Sequence, residues 1–106
     1  MRSKLNKAVI CVDGFSMSVQ GHRGGYCSPR VDNAERYTEV EVGFPSRVEP
    51  LLEPYCEDPE NPLDTVYGYV PSQQVALIIA KHGGMVEGEV PAGVPKLHAM
   101  PKGWED

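Results

Sequence analysis

Hydrophobic and polar positions change period once along this chain, and the change falls between residues 65 and 85. Thr65, Val66, Tyr67, Tyr69 and Val70 are β-branched or aromatic, the composition of a half-buried strand. Val75, Ile78, Ile79 and His82 then recur at i, i+3, i+4 and i+7, which places them on one face of a helix. Leu77 widens that stripe, while Gln73, Gln74 and Lys81 face outward or lie at its edge. Pro71 ends the strand and suits the first helical turn, where its missing N–H costs nothing. Gly83 follows the last periodic residue, at the usual place of a left-handed C-terminal cap. The spacing predicts a strand over 65–70 and a helix from about Pro71 to His82.

Upstream the period is two. Ala8 to Val12 is a short apolar run, and Asp13-Gly14 is a turn dipeptide that permits positive φ. In the second arm Phe15, Met17 and Val19 point one way and Ser16, Ser18 and Gln20 the other. Tyr37 to Phe44 repeats the pattern, with Thr38, Val40, Val42 and Phe44 inward and Glu39 and Glu41 outward. Leu51, Leu52 and Tyr55 form another apolar patch, but Pro50 and Pro54 restrict it to an edge segment. Met85 to Glu89 adds a last short strand.

These elements predict an α+β fold: a small antiparallel sheet built from 8–12, 15–20, 37–43 and 65–70, with one main helix packed on a face. Residues 1–90 form a single domain on this reading. Residues 91–106 form an irregular, loosely held C-terminal tail from which Trp104 docks on this subunit or a neighbour. Phe15, Met17, Val19, Val40, Val42, Val75, Ile78 and Ile79 are the expected core.

Composition narrows the class. At 106 residues with a hydrophobic fraction of 41%, the chain has a small core. Its 10 prolines and 11 glycines imply many turns. A small core with apolar residues to spare at Leu51, Leu52, Tyr55 and Trp104 predicts a homo-oligomer, a dimer or a multiple of it. The formal charge of −5 argues against a DNA or RNA surface, which carries a basic stripe. Three cysteines cannot all pair within one chain and match no zinc spacing, so free thiols in the cytoplasm are expected. The longest apolar run, Val75 to Ala80, is too short to span a membrane, and no signal-peptide pattern is present.

Candidate chemistry gathers in the loop Gly21 to Asn33, where Arg23, Tyr26, Cys27, Ser28 and Arg30 could stack on a base and pair with phosphate. Tyr26 covering a sheet edge beside two solvated arginines is the other reading of the same residues. Ser16, Ser18 and Gln20 form an unusual polar row; an ordinary exposed face also fits them. Cys27 or Cys56 with His82 has the raw material of a thiol nucleophile and base, but nothing fixes their proximity. A histidine in a last helical turn also suits the helix dipole. No phosphate-binding glycine fingerprint, serine elbow or paired-histidine metal motif occurs, and the acidic run Glu57 to Asp64 lacks the ligand spacing of a calcium loop. No enzyme, catalytic residue, metal or cofactor is expected.

The segments GFSMSVQ (14–20), YCSPR (26–30), TEVEVGFPS (38–46), TVYGYVP (65–71) and IAKHGG (79–84) resemble those of small phage-encoded proteins, and specifically the Thoeris anti-defence family of sponges. That resemblance implies a counter-defence protein of the host-cell cytoplasm that binds a cyclic ADP-ribose-type nucleotide signal and holds it without cleaving it. The residues suited to such a ligand are Arg23, Arg30 and Lys81 for charge, Phe15 and Tyr26 for stacking, and Ser18, Gln20 and Ser28 for polar contacts. His82 and the amides of Gly83 and Gly84 lie at the helix end, open to close approach. A second reading from another class is a small acidic inhibitor that binds a host defence protein directly, as anti-CRISPR proteins do. Its surface would be the Glu57–Asp64 loop with Glu39 and Glu41.

Overall fold

The structure, a computed structural model, describes residues 5–99. Five strands, β1 (Val9–Cys11), β2 (Ser16–Gln20), β3 (Glu39–Gly43), β4 (Val66–Pro71) and β5 (Met85–Glu87), form one antiparallel sheet in the order β4-β3-β2-β1-β5. The single α-helix among the described residues, α1 (Ser72–Lys81), follows β4 directly. The predicted α+β class and the strand-to-helix transition are both present. The helix starts at Ser72 because Pro71 keeps an extended ψ of 138° and still pairs with Glu39 on β3.

The alternation in β1 and β2 holds except at Gln20, expected outward but buried by its hydrogen bonds to Asn6 and Ser18. Val9, Cys11, Phe15, Met17 and Val19 are buried, and join Val40, Val42, Tyr67, Val70, Val75, Ile78 and Ile79 in one cluster. Each such aliphatic side chain contributes about 1.5–3 kcal/mol on burial. Leu77 does not belong to this face: it is 57% exposed, because it lies about 100° from Ile78 around the helix. Gly83 takes φ +92°, the left-handed cap expected there.

β3 is shorter than its alternation suggests. Thr38 is exposed and lies before the strand, its N–H bonded to the carbonyl of Ser28. Phe44, expected inside, turns out of the sheet with φ +50° and is 56% exposed. Residues 50–55, expected at a sheet edge, are instead a 3₁₀ helix, Pro50–Tyr55, whose first turn is capped by the Glu49 carboxylate accepting the Leu51 N–H. Leu52 is fully buried, with Leu51 and Tyr55 packed against the core. These residues are therefore not spare apolar surface. The chain leaving this helix covers the β4 edge, with Cys56 bridged to Tyr67 and the Glu57 N–H donating to the Val66 carbonyl.

Residues 91–99 carry no helix or strand, yet they are not loosely held. Ala92 accepts the Tyr37 N–H at 2.8 Å, His98 bridges to Met85 in parallel, and Val94 is buried. Trp104 lies outside the described residues. No helix among those described is long and apolar enough to cross a membrane.

Candidate functional site

The sequence candidates separate into three places. At the first, the β1–β2 turn, the segment before the 3₁₀ helix and the end of α1 meet around His82. Its Nδ1 lies 2.6 Å from Asp13 Oδ2 and its Nε2 lies 2.7 Å from Glu49 Oε1. An ionised carboxylate only accepts, so both contacts are satisfied together when both ring nitrogens carry hydrogen. Phe15 is fully buried and stacks on the imidazole, with centroids 4.1 Å apart and planes inclined by 11°. Lys81 Nζ reaches the other Glu49 oxygen at 2.8 Å, and Arg47 reaches Asp13 at 2.7 Å.

Glu49 is the deepest charge here, its side chain only 1% exposed. Burial pushes its acidity toward the neutral form, but hydrogen bonds from Lys81, the Leu51 N–H and His82 outweigh burial and hold it below the usual range. Asp13 is lowered as well, first by its hydrogen bond to His82 and then by the Phe15 N–H. Neither imidazole nitrogen is open to act as a base toward Cys27 or Cys56. Cys27 Sγ is itself buried and donates to the His22 carbonyl, and burial raises its pKa. This cluster joins three segments of the fold. It leaves Phe15 and His82 buried, Lys81 half-exposed but paired with Glu49, and Gly83 at the helix end beside Val12.

The second place is the polar row of β2. Gln20 is buried, its amide nitrogen donating to the Asn6 carbonyl and to Ser18 Oγ while its oxygen accepts the Asn6 N–H. The row closes the start of the described chain onto the sheet.

The third is the loop from Gly21 onward. Gln20 pairs with Glu41, and the next bridge along β3 joins Ser28 to Glu39. Residues 21–27 are therefore an excursion from the line of β2. Its tip is fixed at Tyr26, whose N–H donates to Glu41 and whose carbonyl accepts the Tyr69 N–H at 2.9 Å. Ser28 Oγ donates to Glu39 at 2.7 Å, so the two outward glutamates anchor the loop. The Arg30 guanidinium lies over the Tyr26 ring, 5.4 Å from its centroid, and the Tyr69 ring lies 6.0 Å away on the other strand. Tyr26 and Tyr69 are 38% and 41% exposed. Among the described residues Arg30 and Arg23 have no carboxylate within ion-pair distance, in contrast to Arg47 and Lys81.

No family model, curated protein or solved structure matches this chain.

Sequence reasoning missed Asp13 and Glu49 as partners of His82, Arg47 as the partner of Asp13, and Tyr69 as the neighbour of Tyr26. Only Asp13 carried a local signal, and it was that of a turn. A cavity of about 460 Å³ lies between the 3₁₀ helix and the acidic loop, walled by Val48, Glu53, Cys56, Pro62 and Tyr67 among others. Tyr67 donates to the Pro62 carbonyl there, and burial, then Cys56, raises its phenol to about 12. The acidic loop is tied to itself, Asp58 accepting from Glu60 N–H and Asn61. Among the described residues no group of three or more His, Cys, Asp and Glu is placed to hold a metal ion.

Proposed function

We propose that this chain is a phage counter-defence protein that captures a cyclic ADP-ribose-type nucleotide in the host cytoplasm and holds it intact, using the loop that carries Tyr26 and Arg30. The observation that supports this reading is the Arg30 guanidinium over the Tyr26 ring, exposed and without a carboxylate partner. An aromatic face takes a base, and an unpaired guanidinium takes two phosphate oxygens in one plane. Arg23 and Ser28 lie in the same loop. The segment resemblance, which includes residues 26–30, supplies the ligand class. Phe15, Ser18, Gln20, Lys81 and His82 serve the fold on this reading.

Calorimetric titration of a cyclic ADP-ribose isomer into wild type, Arg30→Ala and Arg30→Lys tests it. Arg30 is exposed, so screening reduces its contribution to about 1–2 kcal/mol, roughly 5- to 30-fold in Kd. Lysine should recover only part of that, because a point charge does not reproduce the fork. Melting temperatures should agree among the three proteins. Mass spectrometry of ligand released by heat should return the intact nucleotide; a cleaved product would make the protein an enzyme. Equal affinity in all three proteins would remove Arg30 from the site.

A further inference from the structure

We propose that Tyr69 is the second ring of this binding surface, and that the surface takes a flat aromatic ring bearing an anionic group. The proposal rests on the reading that the Tyr26 loop binds a ligand. Its starting point is a bulge in β4. Val70 pairs with Val40 and Tyr67 with Val42, so Gly68 and Tyr69 together stand opposite Glu41 alone. The extra residue lets Tyr67 and Val70 both point into the core.

Packing explains the bulge but not the residue that occupies it. Tyr69 has φ +54°, a conformation that glycine adopts freely and a bulky side chain does not. A bulge serving the core alone would carry its glycine at 69. The glycine stands one position earlier, where its missing side chain has another use. A Cβ on Gly68 would come within 3.1 Å of Tyr26 Cβ and 3.2 Å of Glu57 Oε2. Gly68 thus makes room for Tyr26, while the Tyr69 N–H holds the Tyr26 carbonyl and the Tyr69 ring stands beside the Tyr26 ring. Both bulge residues serve the same exposed tyrosine. The Tyr69 ring is left 41% exposed, so little core packing accounts for the strained backbone. Such strain concentrates where a side chain must be presented to a ligand.

The ligand class follows from what the surface offers. Two aromatic rings inclined by 31° favour a planar π-system. Arg30, over the Tyr26 ring and without a carboxylate within ion-pair distance, favours negative charge on it.

The test measures affinity and melting temperature for wild type, Tyr69→Gly and Tyr69→Phe. The probes are a cyclic ADP-ribose isomer, AMP, adenosine and ribose 5-phosphate. Loss of one stacking ring should weaken AMP by about 5- to 100-fold in Tyr69→Gly. Its melting temperature should stay at or above that of wild type, because the strained residue is gone. Tyr69→Phe should bind AMP within about twofold of wild type, since stacking uses the ring and not the hydroxyl. Adenosine and ribose 5-phosphate should each bind wild type at least roughly tenfold more weakly than AMP. Tyr69→Gly binding as tightly as wild type overturns the role of Tyr69 and leaves the function above intact. Weaker binding together with a lower melting temperature makes Tyr69 structural and overturns it too. Wild type that binds AMP but not the cyclic ADP-ribose isomer overturns the sponge reading while Tyr69 stands. Wild type that binds none of the four overturns both.

Discussion

Glu49 is a carboxylate with almost no access to solvent, and its neighbours decide whether it stabilises the fold. His82 and Lys81 each take one of its oxygens, and the Leu51 N–H shares the second. Removing one partner of a buried charge is more damaging than the pair is stabilising, because the remaining charge loses its compensation. His82→Ala should therefore cost about 3–5 kcal/mol in urea unfolding, with lost stacking on Phe15 adding to it. Asp13→Asn should be milder, since Asp13 stands in solvent. Acid should act through the same groups. The folded state binds a proton at Glu49 less readily than the unfolded chain, so its stabilisation is complete above the ordinary value of 4.5 and is lost as pH falls through the lower folded value. Asp13 acts in the same direction below 3.8. Urea midpoints measured from about pH 6 to about pH 3 should fall mainly below that first value. Lys81→Met, which removes the strongest opposing hydrogen bond, should make the fall shallower. An unchanged acid limb in that variant would separate Lys81 from the effect.

Among elements, α1 is where sequence and structure agree most closely, and its two faces give contrasting expectations. Ile79 is fully buried, so Ile79→Ala should cost about 2–5 kcal/mol from lost transfer energy and the cavity left behind. Leu77→Ala should stay within about 0.5 kcal/mol, because the side chain faces solvent. Equal losses at the two positions, read by chemical denaturation, would mean that the helix buries a different face. The strand ends behave otherwise. Thr38 and Phe44 continue the β3 alternation in sequence but fall outside the ladder, one held by Ser28 and the other turned out by its own positive φ. Strand length depends on where the partner stops pairing, and the partner is remote in sequence.

For the molecule as a whole, the returning chain of residues 91–99 straps the β3 entry to β5. Gly93 sits at the tightest point, with φ +103° and an added Cβ 2.4 Å from the Tyr37 carbonyl oxygen. Gly93→Ala should unseat this strap and destabilise by at least about 1 kcal/mol. Hydrogen exchange should accelerate at the Tyr37 N–H, which donates to Ala92. Exchange unchanged at Tyr37 would mean that the strap adds nothing to the fold. Self-association loses the support that Leu51, Leu52 and Tyr55 gave it, since all three pack within the chain. Light scattering against concentration reads it directly.

The sequence by itself determined the elements whose signal is local. The period of 3.6 across Val75, Ile78, Ile79 and His82, the period of two across Phe15, Met17 and Val19, and the left-handed cap at Gly83 each arise within a few residues. Burial then followed from the pattern, because one face of each element must leave water. The sequence also placed Arg23, Tyr26, Cys27, Ser28 and Arg30 together as candidates, since all five lie in one loop, but the stacking of Arg30 on Tyr26 is tertiary. Tertiary structure alone decided the rest. Asp13, Glu49 and His82 are separated by 33 residues or more, and no local pattern announces a contact between a turn, a loop and a helix end. Tyr69 read as an ordinary strand aromatic, because a bulge is a mismatch between two strands and is written in neither of them alone. The 3₁₀ helix escaped for a similar reason: its prolines exclude a central strand, and the Glu49 carboxylate that caps it is also held by His82 and Lys81, more than 30 residues away.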